Sequence, residues 1–226
     1  MKTIQPNRFL KTALLIACSA FIGSQAWATL VTWNLNPSGL NQAVGSSSQS
    51  YTVSGYSITA SGYDNNGGVG TLHDLFFKND GGDEIGLGLV NTLHNELQVG
   101  SNGPLNFIQL DLTSILAAGF TNGQIQVGSL QTNESFSLFG SNTLGSLGVQ
   151  LNGSPYGSAF DLQFVSIPNF GTYKFISIVA SALDCLPVAF QATIVPVPEA
   201  TSLMPVICLV IAATALEARR RRCATA

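Results

Sequence analysis

Polar and apolar side chains alternate with a period of two along most of the central part of this chain. That spacing restricts it to strands that bury one face and expose the other. Tyr56, Ile58 and Ala60 alternate with Ser57 and Thr59, and Ile85, Leu87 and Leu89 alternate with Gly86 and Gly88. The pattern returns at Ile108, Leu110 and Leu112, at Phe160, Leu162 and Phe164, and at Val188, Phe190, Ala192 and Ile194. Residues 173–180 are apolar on both faces, as in a strand at the centre of its sheet.

Clusters of Asn and Gly separate these runs: Asn65-Asn66-Gly67-Gly68, Asn79-Asp80-Gly81-Gly82, Ser101-Asn102-Gly103-Pro104, Asn122-Gly123 and Asn152-Gly153-Ser154-Pro155. Both residues accept the positive φ of tight turns, so the clusters predict antiparallel connections. One short helix is predicted over residues 113–118, stopped by Gly119. About ten short strands with evenly spaced turns and almost no helix predict an all-β fold, an antiparallel β-sandwich of jelly-roll-like type.

The two ends read differently. Lys2, Arg8 and Lys11 precede an apolar run over residues 13–23, and Ala26-Trp27-Ala28 supplies small residues for a signal peptidase. Residues 1–28 are therefore read as a signal peptide cut after Ala28. A rival cut before Cys18, in Leu15-Ile16-Ala17-Cys18, would leave a lipidated cysteine but a hydrophobic run of only residues 13–17. At the other end, Pro198-Glu199-Ala200 precedes an apolar stretch over residues 203–216, followed by Arg219, Arg220, Arg221 and Arg222. An arginine cluster resists translocation and stays cytoplasmic, so a helix over the apolar stretch would hold the body on the opposite side of a membrane. Residues 29–194 are read as one sandwich domain and residues 195–226 as a sorting segment.

With both ends set aside, residues 29–195 hold ten carboxylates against Lys78 and Lys174, a charge of −8 concealed behind the chain's −3. Such a body repels phosphate backbones, which argues against nucleic acid as a partner. Its single cysteine, Cys185, excludes a disulfide within the body and lies among apolar neighbours as a buried thiol.

The tail resembles the PEP-CTERM sorting signal of Gram-negative bacteria that make exopolysaccharide. In that signal a Pro-Glu-Pro element, a membrane helix and an arginine cluster are recognised by exosortase; here Pro198 and Glu199 match, and Ala200 stands at the second proline. Residues 77–89, FKNDGGDEIGLGL, and 139–145, FGSNTLG, are also similar to stretches of exported proteins that carry this tail. The resemblance implies export, transient anchoring in the inner membrane, and processing near Pro198 and Glu199 by exosortase. Release or attachment at the cell surface follows, and no chemistry is assigned to the body. The expectation is a cell-surface or matrix protein with a binding or structural role in exopolysaccharide or biofilm. An exported polysaccharide hydrolase is the alternative from another class.

Candidate site residues are sparse. Asp80, Asp83 and Glu84, joined by Asp64 and Asn66, offer oxygen donors on Gly-rich loops that suit Ca²⁺, although the spacing is not that of an EF-hand and a solvated turn needs no metal. His73 and His94 could join Asp74 or Glu96 in a metal or acid–base site. No carboxylate pair and no Ser-centred motif is singled out, so no catalytic constellation and no obligatory cofactor is expected. Trp33, Tyr63 and Tyr156 are placed near loops, where their rings could stack on sugars or cap the core.

Overall fold

A computed structural model describes residues 27–37 and 39–195. The signal-peptide residues up to Ala26, Cys18, the motif at Pro198, Glu199 and Ala200, the apolar stretch 203–216 and Arg219 to Arg222 lie outside the described residues. Among those described, no helix is long and apolar enough to cross a membrane. Residues Thr29–Ile194 form one compact unit.

That unit is all-β and antiparallel. The long strand Asp184–Ile194 is its spine. It pairs with Thr29–Asn34, from Thr29 opposite Ile194 to Asn34 opposite Ala189. It also pairs with Thr121–Gly128, and its first two residues pair with the strand Leu97–Gly100. A second, eight-stranded sheet has the strand Phe175–Ala182 at its centre, between Ser135–Ser141 and Asn106–Asp111, and runs on through Tyr56–Asp64 to Ser48–Val53. A third, three-stranded sheet carries the hairpin of Leu75–Gly81 with Glu84–Leu89. Side chains from all three sheets share one apolar core, an arrangement consistent with a β-sandwich.

The alternating residues do what their period requires. Ile58 and Ala60, Leu87 and Leu89, Ile108 and Leu110, and Phe190 and Ala192 are all buried. The first six residues of Phe175–Ala182 are buried on both faces, as its largely apolar run predicts, with Ser177 buried among them. The helix spans Thr113–Ala117, and Gly119 beyond it has φ +87°, a left-handed conformation that glycine adopts without a Cβ penalty.

The Gly-Leu-Gly-Leu pattern has a packing cause. A Cβ at Gly86 would lie 2.7 Å from the Pro187 carbonyl oxygen, and one at Gly88 1.8 Å from that of Asn95. The glycines thus let Glu84–Leu89 press against the spine strand on one side while Leu87 and Leu89 fill the core on the other.

Some local expectations fail. Phe160, Leu162 and Phe164 do not share a strand: Ser158–Phe160 is a 3-10 turn, Leu162 takes φ 52°, and only Phe164–Ser166 is extended. Local alternation there is overridden by turn hydrogen bonds, Asp161 N–H to Ser158 O and Gln163 N–H to Phe160 O. Asn122-Gly123 makes no hairpin; it lies within the strand Thr121–Gly128, where the register to the spine shifts between Thr121 and Gln124. Asn122, at φ 54°, is absorbed as an irregularity of the ladder rather than a chain reversal. Of the two readings of the rings, the core one holds for Trp33 and Tyr63. Trp33 is fully buried, its ring centroid 5.4 Å from that of Phe190 and 5.6 Å from that of Phe120, and its indole N–H donates to the Tyr56 carbonyl. Tyr63 is buried against Phe107, and Tyr156 is half-buried against Phe136.

Because Trp33 joins both ends of the unit's chain through Phe190, Trp33→Ala is expected to cost about 3–5 kcal/mol of stability, read as a lower urea midpoint.

Candidate functional site

Lys78 organises the site. Along Leu75–Gly81, Leu75 and Phe77 pack toward the apolar core, so alternation sends Phe76, Lys78 and Asp80 to the other face. Lys78 is nevertheless only 3 % exposed, because the turn after Glu84–Leu89 and the start of the spine strand close over it. A buried ammonium needs carboxylate partners. Its Nζ donates to Glu84 Oε2 at 2.5 Å and to Glu96 Oε1, and lies 3.7 Å from Asp80 Oδ2. These partners outweigh the cost of burial and hold the Lys78 amine above its ordinary value.

The two main partners are tuned in opposite directions. Burial alone would raise Glu84, but hydrogen bonds from Lys78 and the Ser129 hydroxyl hold it down at about 2. The same Glu84 also accepts from Gln131 Nε2 at 2.9 Å. Glu96 is 1 % exposed; burial, with Glu84 and Asp184 nearby, outweighs Lys78 and pushes its carboxyl up to about 8. Among the described residues, Glu96 Oε2 is the buried side-chain polar atom without a hydrogen-bond partner.

Around this pair lies a cavity of about 290 Å³ lined by Lys78, Glu84, His94, Glu96, Glu134 and Asp184, with Asp80, Ser129 and Gln131. Its walls come from four parts of the chain, the hairpin that carries Lys78 and Glu84 being the first. His94 sits in the 3-10 turn Leu93–Asn95 at φ 58°, followed by Asn95 at φ 58°, and Gly88 makes room for the Asn95 carbonyl. Asp184 opens the spine strand and is set opposite Gln98, two residues beyond Glu96. His94 Nδ1 lies 3.3 Å from Asp184 Oδ2, and a donor atom from each of His94, Glu96 and Asp184 falls within 4.8 Å of the others. Glu134 enters from the loop before Ser135–Ser141, its carboxyl raised to about 7 by burial and by the Asp184 carboxylate.

The fold brings together only some of the residues singled out from sequence: Asp80, Glu84, His94 and Glu96 line the cavity, and Asp64, Asn66, His73, Asp74 and Asp83 do not. Glu84 turns inward to Lys78, and Asp80 accepts from Asn41 Nδ2 at 2.7 Å. Asp83 offers its backbone carbonyl to the Ser129 N–H. Asp64 pairs with His73 at 2.7 Å and Asn66 donates to Thr71, so both are engaged within their own loop. His73 bonds Asp64 and the Val90 carbonyl, contacts that outweigh its burial and raise its pKa, whereas His94 does meet Glu96. Cys185 is fully buried and burial pushes its thiol well up, which keeps it protonated and inert.

Sequence reasoning missed Lys78, Glu134 and Asp184. A lone lysine after Phe76-Phe77 in an alternating strand was a readable signal for a buried ion pair; nothing local marks Glu134 or Asp184. No family model, curated protein or solved structure matches this chain.

Glu84 has a folded value of about 2 against an ordinary 4.5, so the folded state holds fewer protons than the unfolded one between those values. Its ion-pair contribution is complete above 4.5 and is lost as the pH falls toward about 2. Glu84→Gln is expected to flatten this acid limb in urea midpoints measured against pH.

Proposed function

We propose that this chain is an exported protein of a Gram-negative bacterium, with a jelly-roll-like β-sandwich carried ahead of a PEP-CTERM sorting signal. In this reading a signal peptide delivers it, a C-terminal helix holds it briefly in the inner membrane, and exosortase processes it. The mature body reaches the cell surface or extracellular matrix and serves a binding or structural role in exopolysaccharide or biofilm. The observation that carries the reading is the order Pro198-Glu199, apolar residues 203–216, then Arg219 to Arg222. A strongly acidic body solvated by Ser, Thr, Asn and Gln is compatible with a hydrated polymer matrix.

A second reading, an exported polysaccharide hydrolase, is favoured by one feature. Glu84 at about 2 and Glu96 at about 8 line one cavity, and carboxyls driven apart in this way suit separate base and acid roles. Against it, both carboxylates are spent on the same Lys78 ammonium.

Incubation of the mature protein with exopolysaccharide separates the two: retention on the polymer without new reducing ends is expected for binding. Reducing ends that appear with wild type and vanish with Glu96→Gln would establish the hydrolase instead. Replacement of all four arginines, Arg219 to Arg222, by Ser is expected to leave export intact and to block C-terminal processing, read as the mass of the envelope-associated protein. Normal processing of that variant would refute the sorting reading.

A further inference from the structure

We infer that His94, Glu96 and Asp184 form a binding site for one divalent transition-metal ion of the zinc class, open to solvent through the cavity that they line. The inference is independent of how the chain is sorted or what its body binds.

Geometry is the first support. Zinc bonds to imidazole nitrogen and carboxylate oxygen at about 2.1 Å, which in a tetrahedron sets the ligand atoms about 3.4 Å apart. His94 Nδ1 and Asp184 Oδ2 are 3.3 Å apart, and the third donor, on Glu96, completes a triangle with no side above 4.8 Å. Three protein ligands with the remaining position open to water is a recurrent zinc arrangement.

The second support is independent of that spacing. Lys78 occupies Glu96 Oε1 and leaves Oε2 buried with no partner, a costly state for a carboxylate in a residue only 1 % exposed. Five carboxyl groups, those of Asp80, Glu84, Glu96, Glu134 and Asp184, line the cavity with a single lysine. A divalent cation at the triangle would give the buried Glu96 carboxyl a counterpart besides Lys78. The side chain of His94 is 62 % exposed, which provides an entry path. Its imidazole also selects the ion class: an all-oxygen set suits Ca²⁺ or Mg²⁺, whereas a nitrogen donor among carboxylates shifts preference toward zinc and its neighbours.

The competing occupant of the same space is a proton on Glu96. To separate the two, the full chain purified in detergent would be stripped with a chelator and dialysed against Zn²⁺ at neutral pH, with bound metal measured per chain. One ion per chain is expected in wild type. Because changes outside the direct ligands already weaken metal binding by about 10–100-fold, Glu96→Gln and Asp184→Asn are each expected to weaken it at least tenfold. His94→Ala should do the same, and because the side chain is exposed no core contact is lost with it. Zinc bound as tightly by His94→Ala as by wild type, or no zinc bound by wild type, would overturn the inference and leave the proton in place. Displacement of the zinc by an equal concentration of Ca²⁺ would overturn the assigned ion class.

Discussion

The backbone ladder of the strand Asp184–Ile194 is the constraint on which the rest of this structure depends. It holds Thr29–Asn34 along one edge and Thr121–Gly128 along the other, so the beginning, middle and end of the unit are tied to a single extended segment. With Cys185 the single cysteine among the described residues, this long-range pairing and the core beneath it supply the closure that a cross-link within the unit would otherwise give. Trp33 and Phe190 meet where two of these strands run side by side, and their contact joins the ends of the chain in the apolar interior.

The same strand creates the acidic cavity. Its first residue, Asp184, is fixed opposite Gln98, which brings a carboxylate beside the turn carrying His94 and Glu96. The hairpin from Leu75 to Leu89 supplies Lys78 and Glu84, and Gly86 and Gly88 allow it to approach the spine closely enough to bury the ammonium. Desolvation then acts on Lys78, Glu84 and Glu96. It makes the Lys78 pairs necessary, and it leaves Glu96 with one oxygen committed and the other unmatched. The electrostatic character of the site follows from packing rather than from any concentration of acids in the sequence.

Much of the fold was legible because strand periodicity is local. The runs around Ile58, Leu87, Ile108 and Phe190 needed only their own neighbours to declare a buried face, and the largely apolar run ending at Ala180 declared a central strand. Legibility failed where a local signal had two solutions. Asn122-Gly123 can reverse a chain or bulge a strand, and pairing with the spine selected the bulge. Rings at 33 and 63 looked peripheral by their flanking residues, yet sheet packing placed both inside. Of the site, His94 with Glu96 could be suspected from proximity in sequence, while Asp184, 90 residues from His94, could not.

By itself the sequence determined an antiparallel all-β body, the positions of five of its core strands, its charge of −8, and the basic and apolar character of its ends. These follow from composition and a two-residue period, which require no knowledge of distant partners. Tertiary structure alone decided which carboxylates converge, which are driven below and above their ordinary range, and which aromatic rings are withdrawn from solvent. Each of those outcomes depends on desolvation and on the register between strands far apart in the chain, quantities that no local window of residues contains.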